Sequence, residues 1–323
     1  MIERAVIERT VAVLAGGLSH EREVSLRSGR KLAAALRGAG VDVREWDVDG
    51  SLVAELRRDR PDAVAIALHG GEGENGSVQA VLELLGIPFV GTPAQACRRA
   101  WDKPTAKAEL ARSGIDTPDW VALPHTTFRA LGAQAVLDAM VDRLGLPLML
   151  KPDQGGSALG AQVVTARSDL PAAMVSCLAY ADTVLAERFI TGTEVAVTVV
   201  DDGDESRALP PVEIDVRDGV YDYTARYTPG RATFHCPARL DPPVLARLEE
   251  TALAAHRLLG LRDVSRTDAV VDGDGSVQVL EVNVSPGLTE TSLLPTAVRT
   301  AGMDLGELYA SLVERAIARS PSL

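Results

Sequence analysis

Along the first ninety residues, short apolar runs alternate with stretches whose apolar positions recur every three to four residues. "TVAVLAGG" (10–17) reads as a strand running into a glycine turn, and "REVSLRSGRKLAAALRGAG" (22–40) as an amphipathic helix that stops at glycine. "VDVREWDV" (41–48) predicts a second strand, "LVAELRRDR" a short helix, and "PDAVAIALHG" (61–70) a third, nearly uninterrupted apolar strand. "GSVQAVLELLGIPFVG" (76–91) predicts a helix and a short strand. Such alternation, with strands apolar throughout, predicts a parallel sheet covered on both faces.

The pattern then changes. Helical spacing over 94–101 and 104–114 precedes strands at "WVALP" and "PLMLKP", with one helix predicted over 129–144 between them. "DQGGSALG" is a glycine-rich loop, and "AQVVTA" its returning strand. A strand-loop-strand layout differs from the strand-loop-helix of a P-loop. Beyond residue 188, "TEVAVTVV" and "LPPVEIDV" read as strands. The polar, tyrosine-rich stretch 217–240 carries little periodicity, as lids and binding loops often do. A helix over 241–259, strands at "VSRTDAVVD" and "VQVLEVNVSPG", and a helix over 304–318 complete the pattern. The expected domains are 1–92 (α/β), 93–187 (with the glycine-rich loop) and 188–323.

Two polar positions stand out in the last strand. Period two puts Glu281 and Asn283 on one face, and likewise Arg266 and Asp268 on the preceding strand. The turn signal "DGDG" (272–275) pairs the two strands antiparallel and brings Asp268 near Glu281 and Asn283. Two carboxylates about 4 Å apart repel by roughly 4 kcal/mol at an effective dielectric of 20, a cost that a cation between them reverses. Asp268, Glu281 and Asn283 are therefore candidate ligands for a hard cation such as magnesium, with Arg266 in the same cleft. The alternative is a solvent-facing strand edge.

Composition narrows the partners. A net charge of −12 argues against general affinity for nucleic acid or anionic membranes, so any phosphate site must be built locally. Cys97, Cys177 and Cys236 have no metal-ligand or redox spacing and read as reduced thiols of a cytoplasmic protein. The N-terminal stretch reads as a first strand, not a signal peptide, and no apolar run is long enough to cross a bilayer. Of 33 basic residues only four are lysine: Lys31, Lys103, Lys107 and Lys151. Where arginine serves almost everywhere, a lysine points to a need for a compact ammonium. Lys151 ends the apolar run "LPLMLKP", and Lys103 follows a tryptophan in "AWDKPTAK". Lys31 and Lys107 lie in amphipathic helical pattern, which predicts both solvated.

Taken in order, "GGLSHEREVSL", "LHGGEGENGSVQ", "LELLGIPFVGT", "DKPTAK", "LKPDQGGSALG", "YDYTARY", "RTD" and "EVNVSPGLTETSLLP" resemble a D-alanine–D-alanine ligase of the ATP-grasp superfamily over nearly the full length. The resemblance implies an α/β and α+β chain: an ATP-grasp fold with an N-terminal parallel-sheet domain, and ATP between two antiparallel sheets. It implies that ATP, with magnesium or manganese, phosphorylates one D-alanine, whose acyl phosphate is attacked by the amine of a second. By the same match, Lys103 and Lys151 hold phosphates under the loop containing Gly156. Glu187, Phe189 and Ile190 belong to the segment that reads adenine through its backbone, and Glu194 lies at the ribose. Glu21 holds the first D-alanine ammonium, with Ser157 and Tyr227 as partners in a triad and His69 nearby. Arg266 and the Gly287 amide stabilise the oxyanion, and Ser292 and Leu293 receive the second substrate's carboxylate. A homodimer is usual in such ligases.

Three positions depart from the pattern: Arg226 where a lysine is usual, at the γ-phosphate; Gly155 where the loop usually carries glutamate; and Asn75 where aspartate is common. Arg226 and Gly155 motivate a second reading, a related ligase of secondary metabolism or antibiotic resistance with another acceptor. Bland readings stay open locally: Gly16-Gly17 as a tight turn, His69 as a structural histidine, Glu21 and Glu23 as helix-dipole partners, and Tyr221, Tyr223 and Tyr227 as packing anchors. A nucleotide-binding module without turnover conflicts with the complete metal and lysine set. A dinucleotide oxidoreductase on the "LAGG" turn lacks the full glycine fingerprint.

Overall fold

Three sheets carry the functional residues in the computed structural model, which describes residues 9–203, 205–216, 220–222, 225–226, 228 and 230–319. The first is built from β1 (Thr10–Ala15), α1 (Arg22–Gly38), β2 (Asp42–Asp47), α2 (Leu52–Asp59), β3 (Ala63–Ile66), α3 (Gly71–Glu74), α4 (Ser77–Leu85) and β4 (Phe89–Val90). Its strands are parallel, in the order β2-β1-β3-β4. Because side chains alternate, Ala12, Leu14, Val64 and Ile66 pack against Leu52, Leu56, Val78 and Leu82 on one face. Val11, Val13, Ala63 and Ala65 meet Leu32 and Leu36 on the other. The short α3 was absent from the periodicity, which a run of glycines obscures.

α5 (Ala94–Trp101) and α6 (Lys103–Arg112) follow. The Asp102 carboxylate caps α6 by accepting from the Thr105 amide at 2.8 Å, with Pro104 in the first turn. The second sheet comes from β5 (Trp120–Pro124), α7 (His125–Leu131), α8 (Ala133–Leu144), β6 (Leu148–Pro152), β7 (Gln162–Val164), α9 (Leu170–Leu178) and β8 (Thr183–Arg188). Its strands are antiparallel, in the order β5-β8-β6-β7. The single helix expected over 129–144 is two helices, because Gly132 takes φ +90° between them. α8 and α9 bury Leu137, Met140, Leu170 and Cys177 on Leu148, Leu150 and Val184. The opposite face presents Met149, Lys151 and Glu187 to a cleft.

The third sheet contains β9 (Gly192–Asp202), β10 (Glu205–Ala208), β11 (Val212–Val216) and β12 (Ala232–His235). After α10 (Pro242–Leu258) come β13 (Val264–Asp272), β14 (Val277–Asn283), α11 (Leu293–Thr300) and α12 (Leu305–Ala318). The antiparallel order is β12-β11-β9-β13-β14, with β10 on β9. β12 lies inside the stretch 217–240 that periodicity left without structure. Packing ties the units together. α5 and α6 place Cys97, Ala106 and Leu110 on Val279 and Val282 of β14. α12 returns to the first sheet with Leu308 and Leu312 beside Leu32 and Leu36.

Candidate active site

The β13–β14 hairpin expected from the turn signal forms, and a bulge sets which of its residues meet. Asp268 pairs with Glu281 and Arg266 with Asn283, and a bulge follows between Asp268 and Ala269. On β13's other side Val270 pairs with Glu194 of β9, so Glu194 shares the face of Asp268. These side chains are not a solvent-facing edge. Asp268 is 4% exposed and Arg266 8%.

Asp268 accepts a two-pronged bond from Arg266, Nε to Oδ1 at 2.6 Å and Nη2 to Oδ2 at 2.7 Å. The Asn283 amide donates to Asp268 Oδ2 at 3.2 Å. A carboxylate offers about four lone-pair sites, so Asp268 keeps room for a cation while fixing the Arg266 fork. Glu281 stands 3.6 Å from Lys103 Nζ. Burial by itself raises the Glu281 carboxyl, but Lys103, Lys151, Arg226 and Arg266 together bring it down to about 2. The donors are thus an ionised carboxylate, a second carboxylate and an amide, a hard-oxygen set suited to magnesium. Among the described residues no group of three His, Cys, Asp or Glu side chains could hold a metal ion, so a cation here would draw on the Asn283 amide as well as the two carboxylates.

Facing this hairpin across the cleft are the second sheet and its glycine-rich loop. A cavity of about 360 Å³ lies between the two sheets, within the size range of small-molecule sites. Met149, Phe189, Ile190, Val270 and Leu280 supply apolar lining; Lys103, Lys151, Glu187, Glu194 and Arg226 supply charge. Burial pushes the Glu194 carboxyl up to about 7. The loop is tightly turned, with Ser157 at φ +52° and Ala158 at φ +56°, a conformation that non-glycine residues adopt at a cost of about 1–3 kcal/mol. Lys103 Nζ donates to the Gly155 carbonyl at 2.7 Å and so anchors the loop to α6. Gly155, where glutamate was expected, leaves open space around a would-be Cβ.

A second cavity, about 80 Å³, adjoins the first, sharing Gly156, Tyr221, Arg226 and Glu281 in its wall. Glu21, His69, Ser157, Arg266, Asn283, Gly287, Ser292 and Leu293 also line it, from β13, the end of β14 and connections of all three sheets. Glu21 starts α1 but caps nothing; its carboxylate accepts from Ser157 Oγ across 136 residues of chain. Burial raises the Glu21 carboxyl, against the bond from Ser157 and the Arg226 charge. Arg226 lies over the Tyr221 ring at 4.4 Å. Tyr223 and Tyr227 fall outside the described residues, so the third member of the expected triad is not placed.

His69 is buried and neutral, with its pKa depressed by burial to about 4. The Ser285 carbonyl, 3.1 Å from Nδ1, can only accept, which puts the ring proton on Nδ1. Nε2 then accepts from Ser28 Oγ at 2.7 Å, and Ser28 Oγ accepts from the Leu288 amide at 3.2 Å. His69 thereby fixes the loop that carries Gly287. Ser292 Oγ in turn accepts from the Thr289 amide at 3.0 Å, and Leu293 opens α11 beneath it.

One expectation fails and one acid was missed. Lys107, predicted solvated, is 1% exposed. Its Nζ lies 2.7 Å from Glu187 Oε1 and donates to Thr117 Oγ1. Lys151 Nζ lies 2.7 Å from Glu187 Oε2. Burial lowers the Lys107 ammonium to about 8, partly offset by Glu187. At Lys151, burial works to lower the ammonium, but Glu187, Glu281 and Asp268 together raise it. The signal was present in α6. Lys103, Ala106, Lys107 and Leu110 occupy one buried stripe at spacings of three and four. Glu74, passed over among glycines, is buried beside Glu21 and accepts from the Gly70 amide at 2.9 Å. Burial, the charge of Glu21 and that of Glu281 raise it to about 8, against the Gly70 bond.

Two antiparallel sheets thus clasp a cleft lined by cations and acids, next to a small amino-acid-sized cavity. Comparison with known proteins gives this arrangement its relatives. Residues 110–314 match the family profile of the D-ala D-ala ligase C-terminus. A D-alanine–D-alanine ligase of Nitrosomonas europaea is 41% identical over 304 residues, covering 94% of this chain and 96% of that one. The chain belongs to the D-alanine–D-alanine ligase family. The fold of that family extends over nearly the whole chain. The crystal structure of the Bacillus anthracis ligase superposes with a TM-score of 0.82 at 30% identity, covering 96% of this chain and 98% of that one. The ATP complex of the Bacillus anthracis ligase superposes at 0.79, with 27% identity and coverage of 96% and 98%. The fold is accordingly the α/β and α+β ATP-grasp fold with its N-terminal parallel sheet.

Proposed function

We propose that this chain is an ATP-dependent ligase that joins two D-alanines, by way of a D-alanyl phosphate, into the dipeptide used in peptidoglycan. The observation that carries the reading is the junction of the two cavities at Gly156, Arg226 and Glu281, which sets a cationic, nucleotide-sized cleft against a small polar chamber.

Phosphoryl transfer depends chiefly on positioning and charge neutralisation, and the side chains divide that work. Lys103 and Lys151 meet phosphate oxygens from two sides, with the Gly156 loop over them. Phe189 and Ile190 lie at the adenine, and Glu194, opposite them on β9, at the ribose. Asp268, Glu281 and Asn283 would hold magnesium, which supplies charge neutralisation on the phosphates. In the smaller chamber Glu21, kept in place by Ser157, accepts the ammonium of the first D-alanine. Arg266 is held rigid by Asp268, so its guanidinium faces developing negative charge without reorganising. The Gly287 amide, on the loop that His69 pins, is the second donor. Ser292 and Leu293 border the place for the second substrate's carboxylate. Arg226, already in the wall between the cavities, takes the part for which lysine is usual.

Relatives named for D-alanine–D-alanine ligation, at about 40% identity over nearly the whole chain, weigh against the alternative acceptor. Three domains, 1–92, 93–187 and 188–323, belong to the same proposal. No helix among the described residues is long and apolar enough to cross a membrane. A cytoplasmic homodimer completes the proposal, with sedimentation as its check. Phosphate release from ATP, measured with a panel of D- and L-amino acids and D-lactate and with product masses recorded, tests the function. D-alanine alone should yield the dipeptide; turnover only with other acceptors refutes the assignment.

A further inference from the structure

Lys107 reaches neither cavity. It sits one helical turn beyond Lys103 on α6, behind Glu187, in a contact made entirely inside the protein. Its ammonium bridges Glu187 of β8 and Thr117, whose hydroxyl donates at 2.8 Å to the Val279 carbonyl of β14. One carboxylate, 2% exposed, therefore receives two ammoniums, Lys107 on one oxygen and Lys151 on the other, each at 2.7 Å.

Neutrality requires only one of them. A buried carboxylate paired with a single lysine is already compensated, and the second ammonium, Lys151, adds a desolvation cost while also feeling the charge of Glu281 in the cleft. The surplus positive charge lies on the side where Lys151 lines the larger cavity and Lys107 does not. We propose that Lys107 is a positioning residue for nucleotide binding. By holding Glu187 from behind, it allows Lys151 to turn from Glu187 to a phosphate without stranding a buried carboxylate. Were Glu187 paired with Lys151 alone, that turn would leave a buried negative charge uncompensated, and the nucleotide would have to overcome the loss. The inference rests on the proposal that Lys151 meets phosphate.

Calorimetric titration of the full chain with the imido-bridged, non-hydrolysable ATP analogue, in the presence of magnesium, tests it. Lys107→Met keeps the stem and removes the charge. Its affinity should fall about tenfold or more, equivalent to about 1.4 kcal/mol, while the KM for D-alanine stays put. Glu187→Gln should bind at least as tightly as the parent. The double variant Lys107→Met/Glu187→Gln, which has no carboxylate to strand, should recover to within about threefold of Glu187→Gln alone, the non-additivity expected of a coupled pair. Parent-like affinity of Lys107→Met, or equal weakness of Lys107→Met and the double variant, overturns the proposal. Should Lys107→Met fail to fold, Glu187→Gln decides, since weaker binding there contradicts the same reasoning. Lys151→Met separates the two levels. If it leaves affinity unchanged, the phosphate assignment of Lys151 is at fault.

Discussion

Replacing Glu74 by glutamine should change how the stability of this protein depends on pH. Glu74 is buried between glycine backbone and Glu21, and its carboxyl sits at about 8 in place of 4.5. Below pH 4.5 the group is protonated in both folded and unfolded chains and contributes no penalty. From pH 4.5 to 8 the unfolded chain releases the proton while the folded one retains it, so folding loses ground as pH rises. The gap between the two values, at about 1.4 kcal/mol for each pH unit, sets an upper bound of roughly 4–5 kcal/mol at pH 8. Relaxation around the site and its interaction with Glu21 reduce this, and about 2 kcal/mol is expected. Glutamine retains a carbonyl oxygen to accept from the Gly70 amide and carries no charge. Thermal melts of the parent and Glu74→Gln between pH 5 and pH 8 should therefore diverge by several degrees, the variant gaining on the parent as pH rises. Parallel Tm profiles across that interval would refute the assignment of a neutral, proton-retaining Glu74.

Three further substitutions address separate parts of the molecule. Glu281→Gln should lower turnover by about a hundredfold or more while melting within a few degrees of the parent; near-normal activity counts against a cation there. Gly156→Ala places a Cβ 2.6 Å from Glu21 Oε2, so steady-state kinetics should show the KM for D-alanine up by about tenfold, a cost in the range of overpacking. Arg319→Ala removes both bonds to the fully buried Asp263, at 2.7 and 2.8 Å. It should cost about 2–4 kcal/mol in urea unfolding with kcat unchanged, given that the Gly91 amide still donates to Asp263.

Much of the site was legible because it depends on local periods. The two-residue period of strands and the "DGDG" turn were enough to bring Arg266 and Asp268 near Glu281 and Asn283, while the pairing of Asp268 with Glu281 depends on a bulge that the period does not show. Glu21, His69 and Ser157 were readable only through the order of motifs along the chain. Nothing in their own surroundings says that residue 157 will meet residue 21.

What the sequence determined by itself was most of the succession of elements, the parallel first sheet and the polar positions of the hairpin strands, since each follows from side-chain alternation within one segment. The tertiary structure alone decided which charges are buried and what lies against them. The stripe of α6 shows that Lys107 belongs on an inward face, but only the arrival of β8 supplies Glu187 to receive it. Glu74 keeps its proton because the fold buries it, with the charge of Glu21, delivered by another strand-to-helix turn, adding to the effect. A periodic pattern reports the direction in which a side chain points. The dielectric and the partner at the end of that direction come from segments far away in the chain, and those fix its charge and its work.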